Sequence, residues 1–300
     1  MENYGLISQL LQYIVTGITV GSIYAIVGLG FNIIYKSTEI INFAQGEFVM
    51  LGGLVMVTLV NTVHLPMPLA FLITVGVVTL VGLLIERLAI FPLKDAEVLR
   101  LVILTLALSI LMKGLAMFIW GKDSFSLRPF SGDTPLSFFG ASIVPQTLWI
   151  IGITAVLVVL LSFFFSRTII GKAMNACADN PEAASLVGIN TQRMIMLSFM
   201  LSAGLGAVAG IIITPIALME YDRGAMLALK GFAACILGGL GNFYGAVMAG
   251  IILGLIESLG AGLISSGYKD AMALAVLLLV LFIKPSGLLG SAEVSKLKKF

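Results

Sequence analysis

Residues 231–258, GFAACILGGLGNFYGAVMAGIILGLIES, decide how this chain is threaded. Residues 231–256 carry no charge, and as one α-helix they would extend about 39 Å. That length exceeds one hydrocarbon core of roughly 30 Å and is too short for two complete crossings. The run Gly238-Gly239-Leu240-Gly241-Asn242 predicts a break near the midplane. Irregular backbone at that depth is tolerated where it is buried in protein or lines a wet cavity, so the break is a candidate for a functional passage.

The whole chain has the composition of a membrane protein. Of its 300 residues, 59% are hydrophobic and 11% are charged, whereas a soluble domain carries roughly 25% charged residues. The charges are bunched and leave further uncharged windows at residues 3–35, 48–85, 134–166 and 194–219. We therefore expect an all-α polytopic membrane protein with about eight hydrophobic segments. The composition excludes a soluble enzyme, a secreted disulfide domain and a nucleic-acid binder.

Turn signals divide the uncharged windows into helices. The window 48–85, for example, is long enough for two spans and is divided by His64-Leu65-Pro66-Met67-Pro68. Besides the segment at 231–258, we predict helices at 10–34, 43–63, 69–90, 98–120, 146–166, 194–218 and 268–283. The segment 231–258 is predicted to be re-entrant, which means that it enters and leaves on the same side.

Lys and Arg predict the orientation, because they are more frequent in cytoplasmic loops. With the N-terminus outside and a re-entrant segment at 231–258, eleven fall on the inner side, counting the tail 284–300, and five on the outer side. Lys113 lies inside a predicted helix. The outer five are Lys122, Arg128, Arg223, Lys230 and Lys269. The tally predicts an outer N-terminus and a cytoplasmic C-terminus.

Small residues at every fourth position predict surfaces where helices pack closely in lipid. Three such stripes occur, and each lies in an uncharged or nearly uncharged segment. They are Gly17, Gly21 and Ala25; Ser198, Ser202, Gly206 and Gly210; and Ala246, Gly250, Gly254 and Ser258. Packing within the chain and packing between two copies both remain open at this point.

Polar residues inside predicted spans are candidates for a translocation path. Thr105, Ser109 and Lys113 are four residues apart and share one helix face, which we expect to point into the protein. Snorkelling of Lys113 to the membrane surface is the alternative. The candidate path comprises Asn42, Gln45, Gly46, Glu47, Thr105, Ser109, Lys113, Gly239, Gly241 and Asn242.

Two Asn-Phe pairs precede apolar helices, at Asn42-Phe43 and at Asn242-Phe243. Such a similarity indicates a possible internal repeat, of the kind that builds transporters around a central site. Asn42 could equally be a plain helix cap, with Glu47 favoured by the helix dipole.

The inner loop 167–193 contains signals for a short helix. Asp179 or Asn180 can cap it, Pro181 suits its first position, Glu182 its first turn, and Gly188 its end. An amphipathic helix on the cytoplasmic surface or a plain connector would both fit this pattern.

Glu182-Ala183-Ala184, followed after three residues by Gly188, resembles the EAA loop of ABC importer permeases, which docks into a cleft of the ATPase subunit. The later part of that consensus is missing at Ser198 and Met200-Leu201. Together with the segments 41–47, 171–173, 186–190 and 284–290, this loop makes the chain similar, from about residue 10 to 290, to the LivH-type permeases of branched-chain amino acid ABC importers.

The resemblance implies a single transmembrane permease domain, 1–300, with a coupling loop at 167–193, a polar outer loop at 121–145 and a cytoplasmic tail at 284–300. It implies alternating access for leucine, isoleucine or valine across a bacterial inner membrane. The implied partners are a LivM-type permease or a second copy, two ABC ATPase subunits and a substrate-binding protein. The implied coupling residues are Asp179, Asn180, Pro181, Glu182, Ala183, Ala184 and Gly188.

We expect no enzymatic activity in this chain. A GxxxxGK[ST] phosphate loop is absent from the sequence, so ATP would be used by partner subunits. Catalytic and metal-binding residues are not expected, because His64 is the single histidine and Cys177 and Cys235 are widely separated. The predicted passage is lined by small and aromatic side chains rather than by paired charges.

Two alternative functions remain. A permease of the same family could carry urea or another small amide or acid. An ion-coupled secondary transporter would need ionisable relays within the membrane. Besides Lys113, the sequence offers only Glu47, Glu86 and Glu257, which we place at the edges of spans.

Overall fold

A computed structural model describes residues 2–93, 96–132, 134–138, 141–284 and 287–289. Nearly all of the expected tail 284–300 lies outside the described residues, as does Lys94. The described helices are α1 Glu2–Thr38, α2 Gln45–Val57, α3 Met67–Ile85, α4 Val98–Trp120, α5 Pro145–Arg167, α6 Ile169–Asp179, α7 Pro181–Leu186, α8 Thr191–Ile213, α9 Arg223–Gly238, α10 Phe243–Leu263 and α11 Lys269–Ile283.

Shorter elements extend this framework. α2 continues as a π-helix at Thr58–Thr62, and α3 continues through a π-helix at Glu86–Ile90 and a 3₁₀-helix at Phe91–Leu93. A 3₁₀-helix at Ser266–Tyr268 precedes α11. The loop 121–145 contains the antiparallel strands β1 Leu136–Phe138 and β2 Ala141–Ile143, with Leu136 opposite Ile143.

Eight helical segments are long and apolar enough to cross a membrane, which confirms the expected all-α polytopic fold. They are Ile7–Thr38, Gln45–Thr62, Met67–Leu93, Val98–Trp120, Pro145–Arg167, Thr191–Ile213, Phe243–Leu263 and Ser266–Ile283. The predicted helices fall on the same segments. α1, α2 and α8 form the buried centre, whereas α4, α5 and α11 turn most of their surface outward.

One boundary was wrong. α9 begins at Arg223, so Arg223 and Lys230 belong to a helix and not to an outer loop. Lys230 lies inside the protein because its charge is paired there. α10 is by itself long enough to span. The glycine break therefore precedes a complete crossing and does not interrupt one near its middle.

Two of the small-residue stripes pack against each other. Gly250 and Gly254 on α10 lie against the backbone of α1, at Ala25 and at Gly17 and Gly21 respectively. Ser258, one turn further along α10, donates a hydrogen bond to the carbonyl oxygen of Tyr13 at 2.7 Å. This interface lies within the chain, as one of the two alternatives predicted.

The third stripe, on α8, packs against α2. A Cβ added at Gly206 would collide with Phe48, and one at Gly210 would collide with the backbone of Val49 and Gly53. Ser202 is fully buried on the same face. The stripes thus let the backbones of α1 and α10, and of α2 and α8, touch each other. Such close packing stabilises helix pairs in lipid, where the hydrophobic effect does not drive helices together.

We predict that Gly254→Val destabilises the protein, because its side chain would be forced into the backbone of α1. Overpacking of this kind typically costs about 1–3 kcal/mol. The measurement is the temperature at which the detergent-purified protein leaves the monodisperse peak in size-exclusion chromatography. Gly152→Val is the matched control, since nothing lies within 4 Å of a Cβ at Gly152. An equal midpoint for the two variants would contradict the packing role.

Candidate functional site

The segment that joins α1 to α2 brings polar groups into the helix bundle. After α1 ends at Thr38, the chain folds back so that α2 begins beside the middle of its neighbours. The backbone N–H of Phe43 donates to Thr105 Oγ1 on α4 at 3.2 Å. Asn42 Oδ1 accepts a hydrogen bond from the backbone N–H of Ala44 at 3.1 Å. Ala44 is the residue before α2, so Asn42 stabilises the turn but does not cap the helix.

Gln45, at the start of α2, connects three helices. Its Nε2 donates to the carbonyl oxygen of Ser202 on α8 at 3.2 Å. Ser202 Oγ lies 2.5 Å from Gln45 Oε1 and 2.8 Å from the carbonyl oxygen of Gly30 on α1. These bonds hold the first turn of α2 inside the bundle and account for the burial of Gln45.

Glu47, Ser109 and Lys113 form one polar cluster. Glu47 is only 1% exposed, and its Oε1 accepts the Ser109 hydroxyl at 2.8 Å. Lys113 Nζ lies 3.6 Å from the same oxygen. Lys113 therefore points into the protein, as expected, rather than snorkelling. Gly46 packs on the backbone of Gly224, which brings the start of α9 beside this cluster.

Two cavities meet at Lys113. One, of about 620 Å³, is lined by both apolar and charged side chains and extends to the α8–α9 loop. We call it the polar cavity because its lining includes charged groups such as Glu220, Asp222 and Arg223. The other, of about 170 Å³, is mainly apolar and is lined by Phe31, Phe43, Leu106, Ser109, Lys113, Ala225, Ala228, Leu229 and Phe232.

The glycine break between α9 and α10 was predicted at the correct residues. Gly239 and Gly241 adopt φ values of +97° and +84°, which only glycine adopts readily. Asn242 caps α10 by accepting the N–H of Gly245 at 2.9 Å. Its Nδ2 donates to the carbonyl oxygen of Leu289 at 2.9 Å, so the segment after α11 closes over the break.

Asn32 on α1 supports this break and was missed in the sequence. Its Oδ1 accepts the N–H of Gly241 at 2.8 Å, and its Nδ2 donates to the carbonyl oxygen of Asn242 at 3.1 Å. It is fully buried. An asparagine inside an uncharged helix was the available signal, because such a residue needs partners in the protein.

A second charged cluster was also missed. Lys230 on α9 is 5% exposed and pairs with Glu257 on α10 at 2.7 Å and with Asp270 on α11 at 2.6 Å. Tyr24 on α1 donates its hydroxyl to Glu257 Oε2 at 2.8 Å. The interior therefore contains paired charges, contrary to the expectation of a passage free of them.

The three glutamates that were expected at span edges are buried in the protein. Glu47, Glu86 and Glu257 are 1%, 1% and 7% exposed. Each is buried because it has a hydrogen-bond donor inside the protein: Ser109 for Glu47, Gln192 for Glu86, and Tyr24 and Lys230 for Glu257. Pairing removes much of the cost of burying a carboxylate.

The segment 167–193 forms two short helices where one was expected. Thr168 caps α6 through the N–H of Gly171 at 3.0 Å, and Asn180 caps α7 through the N–H of Ala183 at 2.9 Å. Asp179 ends α6, and Pro181 begins α7 with Glu182 exposed beside it. Gly188, at φ +86°, follows the end of α7 as expected.

The two faces of α7 differ in their exposure to solvent. Ala184 is 3% exposed and lies inside this chain, whereas Ala183 is exposed. Leu186 and Val187 are 86% and 77% exposed. Lys36 Nζ on α1 donates a hydrogen bond to Asn175 Oδ1 on α6 at 2.6 Å, and this bond links the two helices. Burial raises the pKa of the Cys177 thiol on α6.

Comparison with known proteins identifies relatives over nearly the whole chain. Residues 13–281 match the family model described as branched-chain amino acid transport system / permease component. The chain is 34% identical to the high-affinity branched-chain amino acid transport system permease protein LivH of Escherichia coli K12, covering 95% of this chain and 97% of that protein. It is also 34% identical to the permease protein BraD of Pseudomonas aeruginosa, with the same coverage.

A more distant relative comes from an archaeon. The probable branched-chain amino acid transport permease protein LivH of Methanocaldococcus jannaschii is 30% identical over 93% of this chain and 91% of that protein. Among solved structures, PsaBC from Streptococcus pneumoniae in complex with Fab is similar, with 14% identity, a TM-score of 0.49, and coverage of 96% of this chain and 95% of that chain.

We predict that Lys230→Met strongly destabilises the protein, because it leaves the buried Glu257 carboxylate without its cation. Removing one partner of a buried pair costs about 3–5 kcal/mol. The measurement is again the thermal midpoint in detergent. Adding Glu257→Gln should restore much of the loss, since the charge is then removed with its partner.

Lys269→Met is the control for this prediction. Lys269 is exposed, and like Lys230 it lines the cavity of about 620 Å³. A midpoint for Lys230→Met that matches the control would show that the pair contributes little to folding.

Proposed function

The chain belongs to the family of branched-chain amino acid transport system permease components, and we propose that it is the membrane-spanning subunit through which an ATP-driven importer moves leucine, isoleucine and valine. The observation that carries this proposal is similarity over nearly the full length to permeases named for that transport. Those names favour branched-chain amino acids over urea or another small amide. A permease of this family also fits better than an ion-coupled secondary transporter.

The proposed partners supply what a permease component lacks. They are two ABC ATPase subunits, a substrate-binding protein on the outer side, and a LivM-type permease or a second copy of this chain. ATP hydrolysis is assigned to the ATPase subunits and not to this chain. Similarity to ABC importer permeases supports the coarse assignment, and co-purification would identify the individual partners.

The ATPase docking site is proposed to be the α6–α7 segment. Its contacts with α1, α5 and α8 connect it to the membrane helices. The exposed Leu186 and Val187 provide an apolar surface for a partner. Of the predicted coupling residues, Glu182 and Ala183 are exposed there, whereas Ala184 is buried and has a packing role within the chain.

The candidate path is proposed to run past Lys113 and Glu47, from the polar cavity to the start of α2. Thr105, Ser109, Gln45 and Gly46 lie around it. Gly239, Gly241 and Asn242 follow the C-terminal end of α9, where they form the break before α10, and they line neither of the two cavities at Lys113.

We predict that Leu186→Asp separates the permease from its ATPase. The purified wild-type complex, in liposomes with its binding protein outside, should import leucine only when ATP is inside. Leu186→Asp places an unpaired charge in the proposed apolar contact, so ATPase retention and uptake should each fall at least about tenfold at unchanged permease stability.

Leu136→Asp is the matched control, since Leu136 is also an exposed leucine but lies on strand β1. It should retain the ATPase. Full retention and uptake by Leu186→Asp would remove α7 from the coupling surface, and ATP-independent uptake by the wild type would contradict the proposed function itself.

We further predict the orientation, with the α6–α7 segment and the C-terminus in the cytoplasm. A cysteine at Ser131 should react with a membrane-impermeant maleimide in intact cells, whereas one at Ser185 should react only after permeabilisation. Both serines are exposed, and Cys177 and Cys235 are buried, so background labelling should be low. Labelling of Ser185→Cys from outside would reverse the topology. Ser295, in the tail, lies outside the described residues.

A further inference from the structure

Two lysines that point into the protein, Lys230 and Lys113, differ in how completely their charges are matched. Lys230 donates a charge-assisted hydrogen bond to Glu257 Oε1 at 2.7 Å, and its ammonium forms an ion pair with Asp270 Oδ1 at 2.6 Å. Lys113 has Glu47 at 3.6 Å and a side chain that is 28% exposed to the cavities. An ammonium group has three donors, so Lys113 can take a further acceptor, whereas Lys230 is held on both sides.

Glu47 is incompletely matched as well. Its Oε1 accepts from Ser109, but Oε2 is buried and has no hydrogen-bond partner among the described residues. Oε2 points towards α9, at 3.1 Å from the position that a Cβ at Gly224 would occupy. Because Glu47 lines neither cavity, Lys113 is the member of this pair that a ligand in the cavities can reach.

The apolar cavity adjoins this incomplete pair. Phe232 lines it, with its ring centroid 5.6 Å from that of Phe31 and 5.8 Å from that of Phe43. Ser109 and Lys113 form one wall. A cation and an aromatic pocket thus occur within one site, with the buried Glu47 carboxylate 3.6 Å from the cation.

We propose that this site binds the zwitterion of an aliphatic L-amino acid inside the permease. Lys113 Nζ would hold the α-carboxylate, the α-ammonium would lie towards the polar cavity, and the side chain would lie among the three phenylalanine rings. The inference rests on the proposed function and deepens it: the permease itself, and not only the external binding protein, distinguishes substrates.

Access to the site fits the same geometry. Lys113 and Ala225 line both cavities, so the polar cavity near the α8–α9 loop lies next to the apolar one. Glu220, Asp222 and Arg223 at the polar end offer charges of both signs to an incoming zwitterion. The amino acid would therefore approach through polar surroundings and lose water only at the phenylalanine pocket.

The test measures binding without the external binding protein. The nucleotide-free permease–ATPase complex in nanodiscs is titrated with tritiated L-leucine. Leucinamide, which lacks the carboxylate, should compete at least about tenfold less well than leucine. In Lys113→Met, leucine binding should weaken at least about tenfold, and leucinamide should then compete as well as leucine.

A double variant separates recognition from simple charge neutralisation. In the variant that combines Lys113→Met with Glu47→Gln, the carboxylate that Lys113 would neutralise has also been removed. The proposal expects leucine binding to stay weak in the double variant. Recovery to the wild-type affinity would overturn it, because Lys113 would then serve only to balance Glu47.

The side-chain pocket is tested by Phe232→Ala, which enlarges the apolar cavity. The affinity for L-phenylalanine relative to leucine should rise at least about tenfold. Phe164→Ala, a matched truncation of a partly buried ring outside the cavity, should leave this ratio unchanged. An unchanged ratio in Phe232→Ala would overturn the pocket assignment.

The outcomes separate the two proposals. A complex that imports leucine but shows no saturable leucine binding of its own would overturn the internal site and leave the proposed function intact. A complex that imports none of the three branched-chain amino acids would overturn the proposed function.

Discussion

The backbone contact between α1 and α10 is the constraint on which the rest of the structure depends. Helices in lipid gain nothing from hydrophobic association, so close packing and internal hydrogen bonds must hold them. Gly254 rests on the backbone of Gly17 and Gly21 and fixes the position of α10 along α1. The same alignment brings Asn242 to Asn32 at one end of the interface. The alignment of the two helices therefore places the break before α10 against Asn32.

Features encoded by local pattern were predictable from the sequence, and features that depend on distant partners were not. The spans, the small-residue stripes and the glycine break follow from hydropathy, spacing and backbone freedom. Lys230 was assigned to an outer loop, because counting charges treats each one as facing water. Its partners, Glu257 and Asp270, lie on two other helices, and their proximity depends on the packing of α9, α10 and α11.

The α6–α7 segment also combines features that local sequence predicts with features that depend on distant contacts. Asn180 and Pro181 predicted the start of α7, because capping and the fixed proline φ act within one turn. The burial of Ala184 depends on contact with the rest of the chain, which the pattern Glu-Ala-Ala does not reveal. The small residues of this motif consequently serve two purposes, since Ala184 packs inward while Ala183 remains exposed. The surface proposed for a partner is therefore formed more by Leu186 and Val187 than by the alanines.

The charges of Lys113 and Glu47 bear on whether the proposed transport needs a coupling ion. The pair is neutral overall, which limits the cost of placing it inside a membrane protein. An amino acid zwitterion is also neutral, so its binding would leave the net charge of the site unchanged. Movement of the substrate would then require no compensating proton or cation. The energy for import must in that case come from elsewhere, which is consistent with an ATPase acting through α6 and α7.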